Sequence, residues 1–482
     1  MMAAASAVIQ PDFFDVRGLP NIPYRRVVLN SKLLALFFLI LLPSCLLGQT
    51  SDVEIEPNPP TTQSPEFAQQ TNERWPAIQW PSHWNSGPDQ PGYPLLENVS
   101  HFHVHVASVE SGSYSHHPQI TRIGDHFVAA WSNHLSGEDG PGQKVIGAMS
   151  VDGESWQPLG ALFDSPDHVR KSYENGRFLT AAPFVHVRNR TFAVAILTES
   201  VGYGKLDTPI TGTPPSVVKT PEFGKLIMKP HGYLIREVKD SGKFGASFWF
   251  GETKPQPIEG FKSFETFDQT PEAGITRTVA FEIFQQLTQP LSLCPWDFNR
   301  AETECIAADG SILCEPTTLL GPEQTLVRYM RDLNGSKKLY VQFSRDVGKS
   351  WSRATKTQIP DAPSKSRVGQ LPDGTRFLIG NQVIAERLYQ RDPLTIGLSK
   401  DGVVFERANS IRWKSPRFKV PTQQKNDGRG WGLQYPDFEI HDGFLWVIYS
   451  VNKECVDVSR IPIEGISLFQ DESDGDRAAN PK

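Results

Sequence analysis

Three short segments constrain this chain more than any other feature: MSVDGESW (149–156), FSRDVGKSW (343–351) and LSKDGVVF (398–405). Each places Ser two residues before Asp, then a glycine, then a closing aromatic. Asp and Ser side chains bond the amides of a tight turn, glycine takes the backbone angle that other residues avoid, and the aromatic packs beneath. Each segment follows an apolar run that reads as a strand: KVIGAM, KLYVQF or PLTIGL. A hairpin recurring in this way predicts a repeat of small antiparallel sheets. The 39 prolines, 38 glycines and 11 tryptophans agree with short strands and frequent turns, and long amphipathic helical patterns are few.

These segments resemble the Asp-boxes of the sialidase-like β-propellers. The resemblance implies an all-β chain, a six-bladed β-propeller of four-stranded antiparallel blades. Strand-turn units fall near 116–157, 177–252, 275–312, 313–356, 366–410 and 433–465, and the long second unit leaves room for a seventh blade. Residues 75–110 are expected to supply a strand that closes the ring beside the last blade. In that family the boxes are structural and lie away from the active face, so they point to architecture and not to chemistry.

The ends of the chain read differently. Arg25, Arg26 and Lys32 precede LLALFFLILLP (33–43), an apolar run short for a membrane span, followed by LPSC (42–45). That box is similar to the one in bacterial lipoproteins and makes Cys45 the expected lipidation site. Residues 1–48 therefore read as an export segment, and 49–74 as a flexible Pro-rich linker. The propeller is expected over 75–468 and an acidic disordered tail over 469–482. The expected location is the bacterial cell envelope, or secretion, with membrane attachment only through the Cys45 lipid. Of the other four cysteines, Cys294 and Cys305 are the most economical pair for an exported chain, although Cys314 and Cys455 leave other pairings open. A formal net charge of -6 without a basic tract argues against nucleic acid as a partner.

The sialidase resemblance also carries a site. In that family three arginines hold a sugar carboxylate, a Tyr activated by Glu attacks the sugar, and an Asp acts as acid and base. Arginine suits the first task because its planar fork binds carboxylates bidentately and stays charged. CEPTTLLGPEQTLVRYMRD (314–332) implies Glu315 and Arg331, with Arg328 the poorer match. YQRDPLTIGLSKDG (389–402) implies Arg391, and LQYPDFEIHDGFLWVIYS (433–450) implies Tyr435 as nucleophile. GEDGPGQ (137–143) offers Asp139 or Glu138 for the acid.

The first blade departs from the pattern. Where the family has Arg-Ile-Pro, this chain has His116-His117-Pro118, so His116 stands in the place of an arginine and is expected, with Asp139, to handle protons. Extended geometry before Pro118 predicts that the two histidines point to opposite faces, with His117 structural. The same stretch is similar to propeller enzymes that cleave uronate polysaccharides, in which a histidine base works with Tyr or Arg. Trp131 and His134, at the end of the strand AAWSNH, are candidates for substrate binding. His101, His103 and His105 share a strand face and read as a solvated edge, and Lys453-Glu454 as a solvated pair. No cofactor and no metal are expected. The partner implied is an acidic glycan. The reading favours a sialidase-like glycosidase, with a uronate lyase and a non-catalytic binding propeller as the alternatives.

Overall fold

The computed structural model describes residues 75–82, 91–168, 176–204, 216–220, 224–250, 275–289, 291, 306–384, 390–420 and 431–469. The export segment with Cys45, the linker, Cys294, Cys305 and all of the tail but Phe469 lie outside these residues. Among the described residues no helix is long and apolar enough to cross a membrane.

The chain enters through β1 (Ser100–His105) and then lays down one blade after another. Blade 1 comprises β2 (Tyr114–Ile123), β3 (His126–His134), β4 (Lys144–Ser150) and β5 (Gln157–Phe163). Blade 2 comprises β6 (Gly176–Val187), β7 (Arg190–Gly204), β8 (Ser216–Thr220), β9 (Gly224–Val238) and β10 (Phe244–Phe250). After helix α1 (Arg277–Thr288), blade 3 holds β11 (Leu313–Leu320), β12 (Leu326–Asp332), β13 (Lys338–Ser344) and β14 (Thr355–Pro360). Blade 4 holds β15 (Arg367–Gln370), β16 (Arg376–Gly380), β17 (Leu394–Ser399) and β18 (Phe405–Arg412). Blade 5 holds β19 (Leu433–His441), β20 (Phe444–Val451) and β21 (Cys455–Pro462), and β1 pairs antiparallel with β21 as its outer strand. The closing strand expected from residues 75–110 is thus present.

The described residues form five blades, where six were expected. The difference lies at 275–312, whose described residues hold a helix and no named strand before the next blade. In RTVAFEIFQQLT, Val279, Ile283 and Leu287 recur every fourth residue and so line one helical face. Thr276 caps the helix, its hydroxyl accepting from Val279 N at 3.3 Å. The apolar face buries with Ile275 against Val185, Phe192, Val194 and Ile196 of blade 2. A helix therefore covers the face of blade 2 that another blade would cover.

Elsewhere blade packs on blade. Leu179 and Leu197 of blade 2 meet Val128 and Val145 of blade 1. Phe127 and Trp131 of blade 1 meet Trp446 and Val456 of blade 5. The blade 4–5 and blade 3–4 interfaces are built the same way, from inward-facing Leu, Ile, Val and Phe. The turns are as the repeat predicted. Ser150 and Asp152 bond the amides of Gly153 and Ser155, each at 2.8 Å. Ser344 with Asp346 and Ser399 with Asp401 repeat the arrangement between the last two strands of blades 3 and 4. Around the ring the innermost strands follow the order β6, β2, β19, β15, β11.

Candidate active site

Three of these inner strands share a local device. The β-ladder slips between His116 and Gln119 on β2, between Cys314 and Thr317 on β11, and between Gln434 and Asp437 on β19. At each slip the residue before a proline takes a positive φ: His117 at 55°, Glu315 at 53° and Tyr435 at 56°. Proline disfavours this geometry in its predecessor, and so does any side chain with a Cβ. Its threefold recurrence means that the packed ring holds the strain, as functional sites commonly do. A bulge re-aims the side chain at its apex, and here it gathers His117, Glu315 and Tyr435 from blades 1, 3 and 5.

Tyr435 is the hub. Its hydroxyl donates to Glu315 Oε1 at 2.5 Å, and Arg331 Nε lies 2.8 Å from Glu315 Oε2. Arg391 and Arg331 stand over the Tyr435 ring, with Cζ 5.5 and 5.9 Å from its centroid. One backbone carbonyl, Pro363 O, accepts from both arginines, from Arg391 Nε at 3.0 Å and Arg331 Nη1 at 3.4 Å. Arg391 Nη1 also donates to Gln434 Oε1 at 2.5 Å. The two guanidinium groups are therefore fixed beside the phenol before any ligand arrives. The structure brings Glu315, Arg331, Arg391 and Tyr435 together. Arg328 instead lies flat on Trp351, with Cζ 3.3 Å from the ring centroid.

The histidines overturn the opposite-face expectation. With the bulge at His117 the alternation is lost, and both rings lie against Tyr435, at centroid distances of 4.1 Å for His116 and 5.1 Å for His117. The two imidazoles are themselves 4.4 Å apart. His116 Nδ1 meets Ser450 Oγ at 2.6 Å and His117 Nδ1 meets Ser132 Oγ at 3.2 Å.

Lys453 and Glu454 are also not a solvated pair. Both are buried, and Glu454 accepts from the amides of Lys419 and Val420. The Lys453 backbone docks on blade 1 by accepting from Ser115 N at 2.8 Å, and its ammonium pairs with Glu138. Glu138 and Asp139 are half-buried on the 135–143 loop. His134 shapes that loop: Nε2 meets Pro141 O at 3.1 Å, and Nδ1 accepts from Gly137 N at 3.0 Å. His134 thus shapes the loop that carries the acidic pair. Trp131 packs in the core between blades 1 and 5, 2% exposed.

The electrostatics follow from burial. Burial pushes the Tyr435 phenol well above its ordinary pKa, and the nearby arginines do not overcome this. The resting phenol is therefore neutral. Burial opposes the charge on Arg331, but Cys314 and Glu315 beside it hold its pKa well above the ordinary value. Burial, reinforced by the positive groups around it, takes His116 well below the imidazole range; burial takes His117 to about 3, although the Glu138 charge opposes it. Burial also opposes ionisation of Glu138, yet Lys453 holds its pKa at about 2. Burial and then the Glu138 charge push Asp139 well above the carboxylate range. Burial thus favours the neutral form of His116.

Comparison with known proteins bears on the fold. Residues 276–447 match the BNR repeat-like domain. A sialidase of known structure is 20% identical, with a TM-score of 0.55, over 77% of this chain, and the match spans 33% of that longer protein. The intramolecular trans-sialidase from Ruminococcus gnavus is 13% identical over 75% of this chain and 96% of its own, with a TM-score of 0.43. Trypanosoma rangeli sialidase is 12% identical over 77% and 60%, also with a TM-score of 0.43. No curated protein sequence matches the chain. The chain shares the β-propeller fold of the first of these sialidases.

Proposed function

We propose that the protein is a glycosidase of sialidase type that removes an acidic terminal sugar from glycans. The observation that carries this reading is the 2.5 Å hydrogen bond from Tyr435 to Glu315, with two arginines fixed over the same ring. Arg331 and Arg391 would hold the sugar carboxylate. The Tyr435 oxygen attacks the anomeric carbon as its proton passes to Glu315, and the glycosidic bond breaks with its oxygen taking a proton from Asp139. Water, deprotonated by Asp139, then displaces the tyrosine, which recovers its proton from Glu315. A neutral phenol suits this task because an anionic nucleophile would be repelled by the substrate carboxylate. Export through the segment ahead of residue 49, with a lipid on Cys45, would place the enzyme at the cell envelope, where such glycans are met.

The two imidazoles against Tyr435 favour one other reading, a lyase in which histidine takes the proton beside a uronate carboxyl. The products separate the two. A screen of terminal acidic sugars and uronate polymers, read for both released sugar and ultraviolet absorbance, is expected to yield saturated sugar without new absorbance. Glu315→Gln is expected to lower turnover on the order of 10²- to 10⁴-fold, and Tyr435→Phe to abolish the covalent intermediate. New absorbance would establish the lyase. Binding without product would sink both enzyme readings, and saturated sugar released at the wild-type rate by both variants would sink the Tyr435 and Glu315 assignment.

A further inference from the structure

We propose that His116, His117 and Glu138 form a binding site for one divalent transition-metal ion, zinc by preference, beside Tyr435. One ligand atom from each residue lies within 4.8 Å of the other two. Among the described residues this is the only such group of His, Cys, Asp and Glu. Tetrahedral ligands at about 2.0–2.1 Å from zinc stand roughly 3.3 Å apart, so side-chain movement of at most about 1.5 Å closes the set.

A second observation points the same way. His116 is wholly buried, and its Nε2 has no hydrogen-bond partner, although an unsatisfied buried donor or acceptor is costly. The other nitrogen, Nδ1, is held by Ser450, and Nδ1 of His117 is held by Ser132. A hydroxyl fixing the distal nitrogen is what metal-binding histidines require of their surroundings, because it sets both tautomer and ring orientation. Two imidazoles and one carboxylate suit zinc better than calcium or magnesium, which take oxygen ligands, and they leave a fourth position open.

Lys453 opposes the ion. Its ammonium pairs with Glu138, so ion and ammonium would share that carboxylate and repel one another. This sets the sign of one test: removing the lysine charge should tighten binding. On the hydrolase reading, the ion would supply positive charge at the position where the family's first arginine is missing. That role rests on the reading; occupancy of the site does not.

Full-length protein stripped with a chelator and titrated with Zn²⁺ is expected to bind one ion per chain, measured by elemental analysis after gel filtration. Competition with a chromophoric chelator should show binding weakened about 10- to 100-fold in Ser450→Ala, weakened further in Glu138→Gln, and tightened in Lys453→Met. Circular dichroism confirms the fold of each variant, and Glu138→Gln, on the half-buried 135–143 loop, serves if Ser450→Ala does not fold. Co²⁺ in place of zinc should give ligand-field bands without a thiolate charge-transfer band. No stoichiometric ion, or equal affinity in wild type and Glu138→Gln, overturns the site, as does a thiolate band. Such a result leaves the Tyr435 and Glu315 kinetics to judge the hydrolase reading separately.

Discussion

At the scale of single residues, the site divides by what a side chain's neighbours reveal in sequence. Glu315, Arg331, Arg391 and Tyr435 were legible because their order beside the Asp-boxes survives. At His117 the following Pro118 predicts extended backbone, whereas the fold holds φ at 55°. The signal was nevertheless present: His-Pro, Ala-Pro, Glu-Pro and Tyr-Pro recur at 117–118, 182–183, 315–316 and 435–436, each at a ladder slip on an inner strand. Lys453 gave no such signal, since a lysine at a strand end is ordinarily solvated and only tertiary packing buries it. One glycine tests how tightly the site is held. Gly432, at φ 115°, lets β19 dock against the Arg391 carbonyl, which accepts from Leu433 N at 2.7 Å. A Cβ there would collide with that carbonyl. Gly443, at φ 75°, has open space around the same position. Both alanine variants carry backbone strain of about 1–3 kcal/mol, but only Gly432→Ala should also displace Arg391. It is expected to have the lower melting temperature and a raised KM for acidic sugar, with Gly443→Ala keeping wild-type KM.

At the scale of elements, the Asp-boxes and the α1 helix make contrasting predictions. The boxes were readable because the chemistry of a tight turn lies within a few consecutive residues. Asp346 accepts from the Ser350 amide and hydroxyl at 2.9 and 2.6 Å, so Asp346→Ala should cost about 1–3 kcal/mol. Denaturant unfolding measures that loss, and kcat should be unchanged because the turn lies at the outer edge of blade 3. The helix was misread because strand repeats on either side suggested another blade. Its four-residue spacing, Val279, Ile283 and Leu287, is a helical period and not the alternation of a strand. Ile283 is 1% exposed against blade 2, and Ile283→Ala should cost roughly 2–5 kcal/mol. A loss below 0.5 kcal/mol in the same denaturant measurement would mean that α1 does not cover blade 2 in solution.

For the whole molecule, stability depends on how blade 5 is completed, since β1 comes from the opposite end of the propeller's sequence. That closure was foreseeable from the family resemblance, but the charges that join the strands were not. His103 Nδ1 lies 2.7 Å from Asp457 Oδ1 across the seam, and Arg412 reaches the same carboxylate at 2.6 Å. The hydrogen bond to Asp457, and then its charge, raise the His103 pKa above the ordinary imidazole value. A raised pKa in the folded state stabilises fully below the unfolded value, about 6.5. That contribution is lost as pH rises through the higher folded value. His103 is largely exposed, so solvent screening keeps the effect small. Melting temperatures compared at pH 5.5 and pH 8.5 should favour the acid side in wild type by more than in His103→Gln. An equal difference in the two proteins would remove the seam pair from the account.

The same seam bears on how the protein is made. His105 ends the first strand of blade 5 and Cys455 begins its partner, so 455 − 105 = 350 residues of synthesis separate them. At roughly 5–20 residues per second, β1 leaves the ribosome on the order of tens of seconds before anything exists to pair with it. Throughout that interval blades 1 to 4 can form while the segment that finishes the ring waits as an open β edge. Such an edge invites pairing with neighbouring chains. Its exposed faces carry His101 and His103 among Phe102 and Val104, a composition that keeps the waiting strand polar on one side.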